Sequence, residues 1–398
     1  MTIAGALIVL VSGNFQYSFG VFIKPLIAEF GWSRAAVSLS ATLRSIMTGV
    51  GGPFAGMLSD RYGHKIPILA GVLMVSTGYL LASRVTSVWQ LYLACGLLIG
   101  TGVSALLIPI MSTAAKWFGR KSALTNGIIL SGFSFAQVVV PPAATYIMLQ
   151  SGWRTAFVAL GLTTLVVGLI GSRFIKAPPQ TADPRRVEPQ KAMSPLTSQP
   201  SPAQRSYSLM EALRTPTLWV FLLIQFIVAA CFQMVAIHVV PAATDVGITA
   251  EAAAFILTLT GITNTSGRLV LTGLANRVGN KVVLTACLIT QALTLFLLAR
   301  ANNLTSYYVL AVVLGLAYGG VTPIVFTILG SSYGTKAVGS FLGIANFFYT
   351  MGGATGPYVG GRIFDIFGDY YAAFSFAGIA LTVTLILYLL VMRLEARR

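Results

Sequence analysis

Asn264 and Arg268 stand one helical turn apart in the stretch GITNTSGRLV (261–270), inside a long apolar run. An arginine cannot shed its proton, so in such a run it must meet water, an acceptor or an anion. The guanidinium fork takes a carboxylate through two parallel hydrogen bonds. An amide four residues earlier lies on the same helical face and can reach a hydroxyl or keto oxygen. The chain has ten acids, and all of them fall in loops or at expected helix ends. Arg268 therefore reads as a site for a visiting carboxylate, the alternative being a side chain that snorkels or pairs with backbone carbonyls. Arg44 is the second base inside an apolar run, with a structural role and a cavity role both open; a cavity role would admit dianions.

Other chemistry is hard to find. The only histidines are His64 and His238, and Cys95, Cys231 and Cys287 are scattered without a metal-ligand or redox spacing. No nucleophile, metal set or acid–base pair shares one depth, so no enzyme, metal or cofactor is expected. His238, three residues before Pro241, is the one side chain in an apolar run whose ordinary pKa lies near neutrality. With Asp245 and Glu251 at the neighbouring helix ends, it is a candidate for handling a proton.

The elements that must position these residues follow from composition. Of 398 residues, 56% are hydrophobic and 9% charged, with a mean hydropathy of +0.82. Soluble domains carry about 25% charged residues. A net charge of +16 would suit nucleic acid, but the bases sit in short gaps between apolar runs, with no basic stripe or interleaved aromatics. Roughly 20 apolar residues cross a bilayer. The runs give twelve spans: 3–25, 34–58, 66–83, 88–112, 122–148 and 154–174, then 215–242, 251–275, 282–300, 305–330, 338–363 and 370–393. With the N-terminus inside, 18 bases fall in cytoplasmic segments and 6 outside, which places both termini in the cytoplasm. The tryptophans fall near span ends, as an interfacial belt would have them. The first run lacks a basic leader and a cleavage site, so it reads as a span and not as a signal peptide.

Residues 176–212 are polar at first and rich in Pro, Ser and Gln, a linker between 1–175 and 213–398. The two halves echo one another. GMLSDRYGHK (56–65) matches TGLANRVGNK (272–281) at an offset of 216, pairing Asp60 with Asn276 and Gly63 with Gly279. Looser echoes join 116–128 to 331–344 and Pro142 to Pro357. The expected architecture is an all-α membrane protein, twelve transmembrane helices in two pseudo-symmetric six-helix bundles. Parallel repeats of this kind are a transporter design.

GMLSDRYGHK resembles the loop between the second and third helices of the major facilitator superfamily. The resemblance implies that Asp60, Arg61 and Gly63 form a conformational latch; His64 stands where the family has a base. EFGWSRAAVS (29–38) and GWRTAFVALG (152–161) resemble the monocarboxylate transporter group within it, with oxalate/formate-type exchangers as relatives. GGATGPYVGG (352–361) matches an antiporter signature but stands in the wrong helix, and reads as a close-packing and hinge element. The resemblance implies a proton-coupled symporter of lactate- or pyruvate-type anions in the inner (plasma) membrane, working as a monomer; the alternative is an organic anion exchanger. It also implies that helices 1, 4, 7 and 10 line the cavity, which makes Tyr17 and Tyr318 candidate wall residues; Asn14, His238 and, in helix 11, Phe347 are further groups inside the spans that stand as candidate contacts beside Arg268 and Asn264. Asn264 and Tyr17 depart from the group's pattern of an acid and a lysine, so its proton relay does not carry over intact.

Overall fold

The computed structural model describes residues 1–118, 122–175, 209–333 and 338–396, and these are helical almost throughout, with no strand among them. The linker lies outside them up to residue 208. In lipid a helix satisfies its own backbone donors and acceptors, which is why long apolar runs resolve this way.

The helices are α1 (Thr2–Ser12), α2 (Asn14–Phe30), α3 (Arg34–Tyr62), α4 (Lys65–Ala82), α5 (Val88–Leu91), α6 (Gly100–Phe118) and α7 (Ser122–Phe174). After the linker come α8 (Leu209–Ala212), α9 (Pro216–Asp245), α10 (Ala250–Val278), α11 (Asn280–Ala299), α12 (Leu304–Tyr333), α13 (Val338–Phe367) and α14 (Tyr370–Ala396). A widened π-helical stretch, Tyr92–Ile99, joins α5 to α6. Among the described residues eight helical stretches are long and apolar enough to cross a bilayer, Thr125–Phe174 counting once. The two arms of α7, broken at Gly152, and the 29- or 30-residue helices α3, α10 and α13 complete the twelve expected spans.

Six glycines among the described residues have positive φ: Gly31, Gly63, Gly152, Gly247, Gly279 and Gly368. Only glycine adopts this backbone without strain, so each ends a helix and turns the chain. They form three pairs, 31 with 247, 63 with 279 and 152 with 368, each 216 residues apart. The repeat read from one loop thus recurs in the backbone at three separate turns.

The chain divides into two compact units. Unit 1 holds Met1–Gln190 with Ala236–Thr258, so the end of α9 and the start of α10 belong to it. Unit 2 holds Lys191–Val235 and Leu259–Arg398. The core of unit 1 includes two stacked aromatic pairs: Phe22 stacks on Phe157 at 4.1 Å and Phe15 on Phe19 at 4.4 Å, all four nearly without exposure. In unit 2, Phe221 meets Tyr388 and Tyr370 stacks on Phe374. Lipid tails are as apolar as leucine, so close backbone approach does much of the packing. A Cβ added at Gly132 of α7 would collide with the Ala6 carbonyl of α1. Gly352 and Gly356 of α13 lie the same way against Phe226 and Ala230 of α9, which gives GGATGPYVGG its close-packing role.

Candidate functional site

In unit 2, α10 carries the Asn264–Arg268 pair. The Arg268 side chain is exposed, and its Nη2 donates to Asn264 Oδ1 at a long 3.5 Å. It makes no ion pair among the described residues. The backbone beneath it is fixed by α12: a Cβ at Gly319 would strike the Asn264 carbonyl and the Arg268 nitrogen, and Gly267 faces Leu316 in the same way. Tyr349 of α13 is within electrostatic reach of Arg268 and of Tyr318. Tyr318 is buried against Phe232, ring centroids 4.8 Å apart, and its hydroxyl has no hydrogen-bond partner. Phe347 is exposed and packs edge-on to Phe348. One guanidinium, one amide and two phenols from three helices of one unit therefore share a region.

The remaining candidates are in unit 1. Asn14 is buried and reaches Thr164 Oγ1 at 3.5 Å, while its Oδ1 has no partner. Tyr17 is buried in the unit's core cluster. His238 is fully buried, its Nε2 3.5 Å from Ser38 Oγ on α3. Asp245 accepts two cations: Lys24 Nζ at 2.7 Å and Arg34 Nη2 at 2.9 Å. Glu251 is exposed in the first turn of α10. The Asp60 side chain lies outside the described residues. Arg61 is exposed, 5.3 Å over the Tyr62 ring, at one end of an open apolar groove of about 610 Å³ between α3 and α6. Gly63 supplies a turn with φ 80°.

Several contacts escape a reading of the sequence. Glu29 accepts Arg154 Nη1 and Nη2 at 2.8 and 2.6 Å and Trp153 Nε1 at 2.8 Å. Trp153 is thus a buried, hydrogen-bonded member of unit 1, while Trp89 and Trp219 are exposed. His64 is buried and lies 3.1 Å from the Ile175 carbonyl, which ties the α3–α4 loop to the end of the sixth span. Lys24 and Arg34 carried a signal: the charge count puts them on the same side as Asp245.

The three cysteines are free and buried. Among the described residues no cluster of His, Cys, Asp or Glu could hold a metal. What the arrangement offers is recognition of an anion through a fixed-geometry cation flanked by hydrogen-bonding groups.

Comparison with known proteins follows the same line. A family model described as Major Facilitator Superfamily matches residues 5–242 and 221–398. Monocarboxylate transporter 13 of Rattus norvegicus is 27% identical over 365 residues, covering 91% of this chain and 81% of the relative. Monocarboxylate transporter 3 of the same organism is 28% identical, covering 92% and 74%. Monocarboxylate transporter 2 of Homo sapiens is 25% identical, covering 96% and 83%. Among solved structures, a bacterial homologue of the human lysosomal transporter Spinster, inward-facing and occupied, superposes with a TM-score of 0.78 at 16% identity, over 98% of this chain and 96% of the other. A nucleoside transporter gives 0.75 at 11% identity, over 98% and 99%. These two show the all-α fold alone; the family match and the apolar helices make this a multi-pass membrane transporter. The chain belongs to the major facilitator superfamily, and within it resembles the monocarboxylate transporters.

Proposed function

We propose that the protein is a proton-coupled secondary carrier for small monocarboxylates of the lactate and pyruvate type, working by alternating access in the inner (plasma) membrane with both termini cytoplasmic. The names of its relatives supply the substrate class. The observation that carries the reading is Arg268: exposed, without an ion pair among the described residues, and set on a backbone that α12 holds in place. A substrate carboxylate takes both prongs of the guanidinium, and Asn264 turns to the substrate's hydroxyl or keto oxygen. Tyr349 and Tyr318 border the same region. The proton is handled by His238, fully buried beside Ser38; Asp245 is already held by two cations. The latch role of Asp60, Arg61 and Gly63 remains part of this proposal.

The test is uptake of labelled lactate, pyruvate, formate and oxalate into proteoliposomes, with and without an inward proton gradient. Gradient-stimulated uptake of lactate or pyruvate is expected, and Arg268→Lys loses most of it although the charge is kept, because an ammonium cannot make the planar bidentate fit. Transport by that variant close to wild type rules out the clamp. Oxalate-for-formate exchange without a proton effect rules out the symporter.

A further inference from the structure

Arg44 lies in the middle of α3, only 5% exposed, in unit 1. Burying a cation without a counter-charge costs several kcal/mol, roughly, even after relaxation. An arginine cannot escape that cost by losing its proton. No carboxylate pairs with it among the described residues, whose ion pairs belong to Lys24, Arg34 and Arg154. What Arg44 does have is weak. Its Nη2 donates to Gln16 Oε1 at 3.4 Å, and its guanidinium stands 5.8 Å from the Phe15 ring centroid. Its Nε–H has no acceptor.

A second orphan lies in the same unit. The Tyr79 hydroxyl on α4, 1% exposed, has no hydrogen-bond partner and is close enough to Arg44 to interact electrostatically, as is Tyr17. Two donors, one of them charged, are thus left open in one buried region, with aromatic rings around them. A water molecule can accept from both but leaves the charge standing. Only an anion satisfies the hydrogen bonds and the charge together. One cation neutralises one negative charge, so the occupant is monovalent, and the burial of both Arg44 and Tyr79 limits it to a small ion.

We infer that Arg44, with Tyr79 and Gln16, holds a small monovalent anion, a halide or a small carboxylate, inside unit 1. Its residues all belong to unit 1 and none is shared with the proposed Arg268 site, so the inference stands whether or not the proposed substrate is right.

The test uses the purified full chain in nanodiscs at constant ionic strength, with sodium sulfate as the reference salt. Unfolding temperature is followed as bromide, chloride, formate or lactate replaces sulfate, in wild type, Arg268→Lys, Arg44→Met and Arg44→Lys. A saturable rise of several degrees with halide or formate, kept in Arg268→Lys, absent in Arg44→Met and weakened in Arg44→Lys, supports the site. Halide alone acting assigns an inorganic ion, and formate or lactate acting in Arg268→Lys assigns a carboxylate. An empty or water-filled site predicts the reverse: no anion response in wild type, and an Arg44→Met protein more stable than wild type in sulfate. That pair of results overturns the inference. Should Arg44→Met fail to fold, anomalous scattering from bromide-soaked wild-type crystals decides: a peak at hydrogen-bond distance from Arg44 supports the site, and no peak there overturns it.

Discussion

Glu29 and Asp245 stand 216 residues apart, at matching places of the repeat, and hold different partners. Glu29 takes both prongs of Arg154 and the Trp153 indole, all within the first half of the sequence. The residue 216 after Arg154 is Tyr370, which has no charge to offer Asp245. Asp245 instead takes Lys24 and Arg34, more than 200 residues earlier in the chain. One acid fastens its own half; its counterpart ties the end of α9 to the first helices of unit 1.

Asp245→Asn leaves Lys24 and Arg34 without their carboxylate. The side chains are about one-third exposed or less, so each pair contributes on the order of 0.5–1 kcal/mol. The expected result is a small loss of thermal stability that shrinks in high salt, with faster amide exchange confined to Ala236–Asp245. Unchanged exchange there would show that α9 is held by its apolar contacts alone.

Gly319→Ala drives a methyl into the backbone of Asn264 and Arg268. Overpacking of this kind costs about 1–3 kcal/mol. Transport should fall at least as far as stability, because the displaced backbone carries the guanidinium. The comparison is Gly273→Ala on the same helix α10, where a Cβ meets nothing within 4 Å and transport should survive. Equal behaviour of the two variants would separate Arg268 from the α10–α12 crossing.

Tyr318→Phe removes a buried hydroxyl that has no partner. An unsatisfied polar group is a cost, so the melting temperature should hold or rise. If the hydroxyl awaits substrate, KM for lactate rises several-fold while turnover changes little. A constant KM assigns Tyr318 to packing against Phe232.

His238→Gln keeps the size and hydrogen-bonding capacity of a fully buried group but cannot carry a proton. Gradient-driven uptake is expected to fall while gradient-free exchange survives. Equal retention of both removes His238 from proton handling and shifts attention to Glu251.

What the sequence makes legible divides along the distance between partners. The spans follow from apolar runs, and Asn264 with Arg268 from a spacing of four, both local properties. The break at Gly152 is local too, since it falls in the gap between the expected spans 122–148 and 154–174. The pairs Arg154–Glu29, Arg34–Asp245 and Arg44–Gln16 join residues 125, 211 and 28 apart. Nothing in their own segments names the partner; only packing does. The bases Lys24 and Arg34 enter a topology count as loop charges, and their second use appears once α2, α3 and α9 are in place. His64 likewise reads as a departure from a motif until the Ile175 carbonyl is found beside it.

The three glycine pairs have a consequence for side-chain bearings. Each residue of a helix turns the next by about 100°, so one inserted residue would re-aim everything up to the following turn. A constant 216 at Gly31, Gly63 and Gly152 means that no net insertion separates those landmarks in either copy. Positions n and n + 216 can then be compared as points of the compass. On that dial Arg268 answers to Gly52 and Arg44 to Thr260. Each half has grown one guanidinium where its twin keeps a small neutral residue, so the two copies share their angles and have parted in their charges.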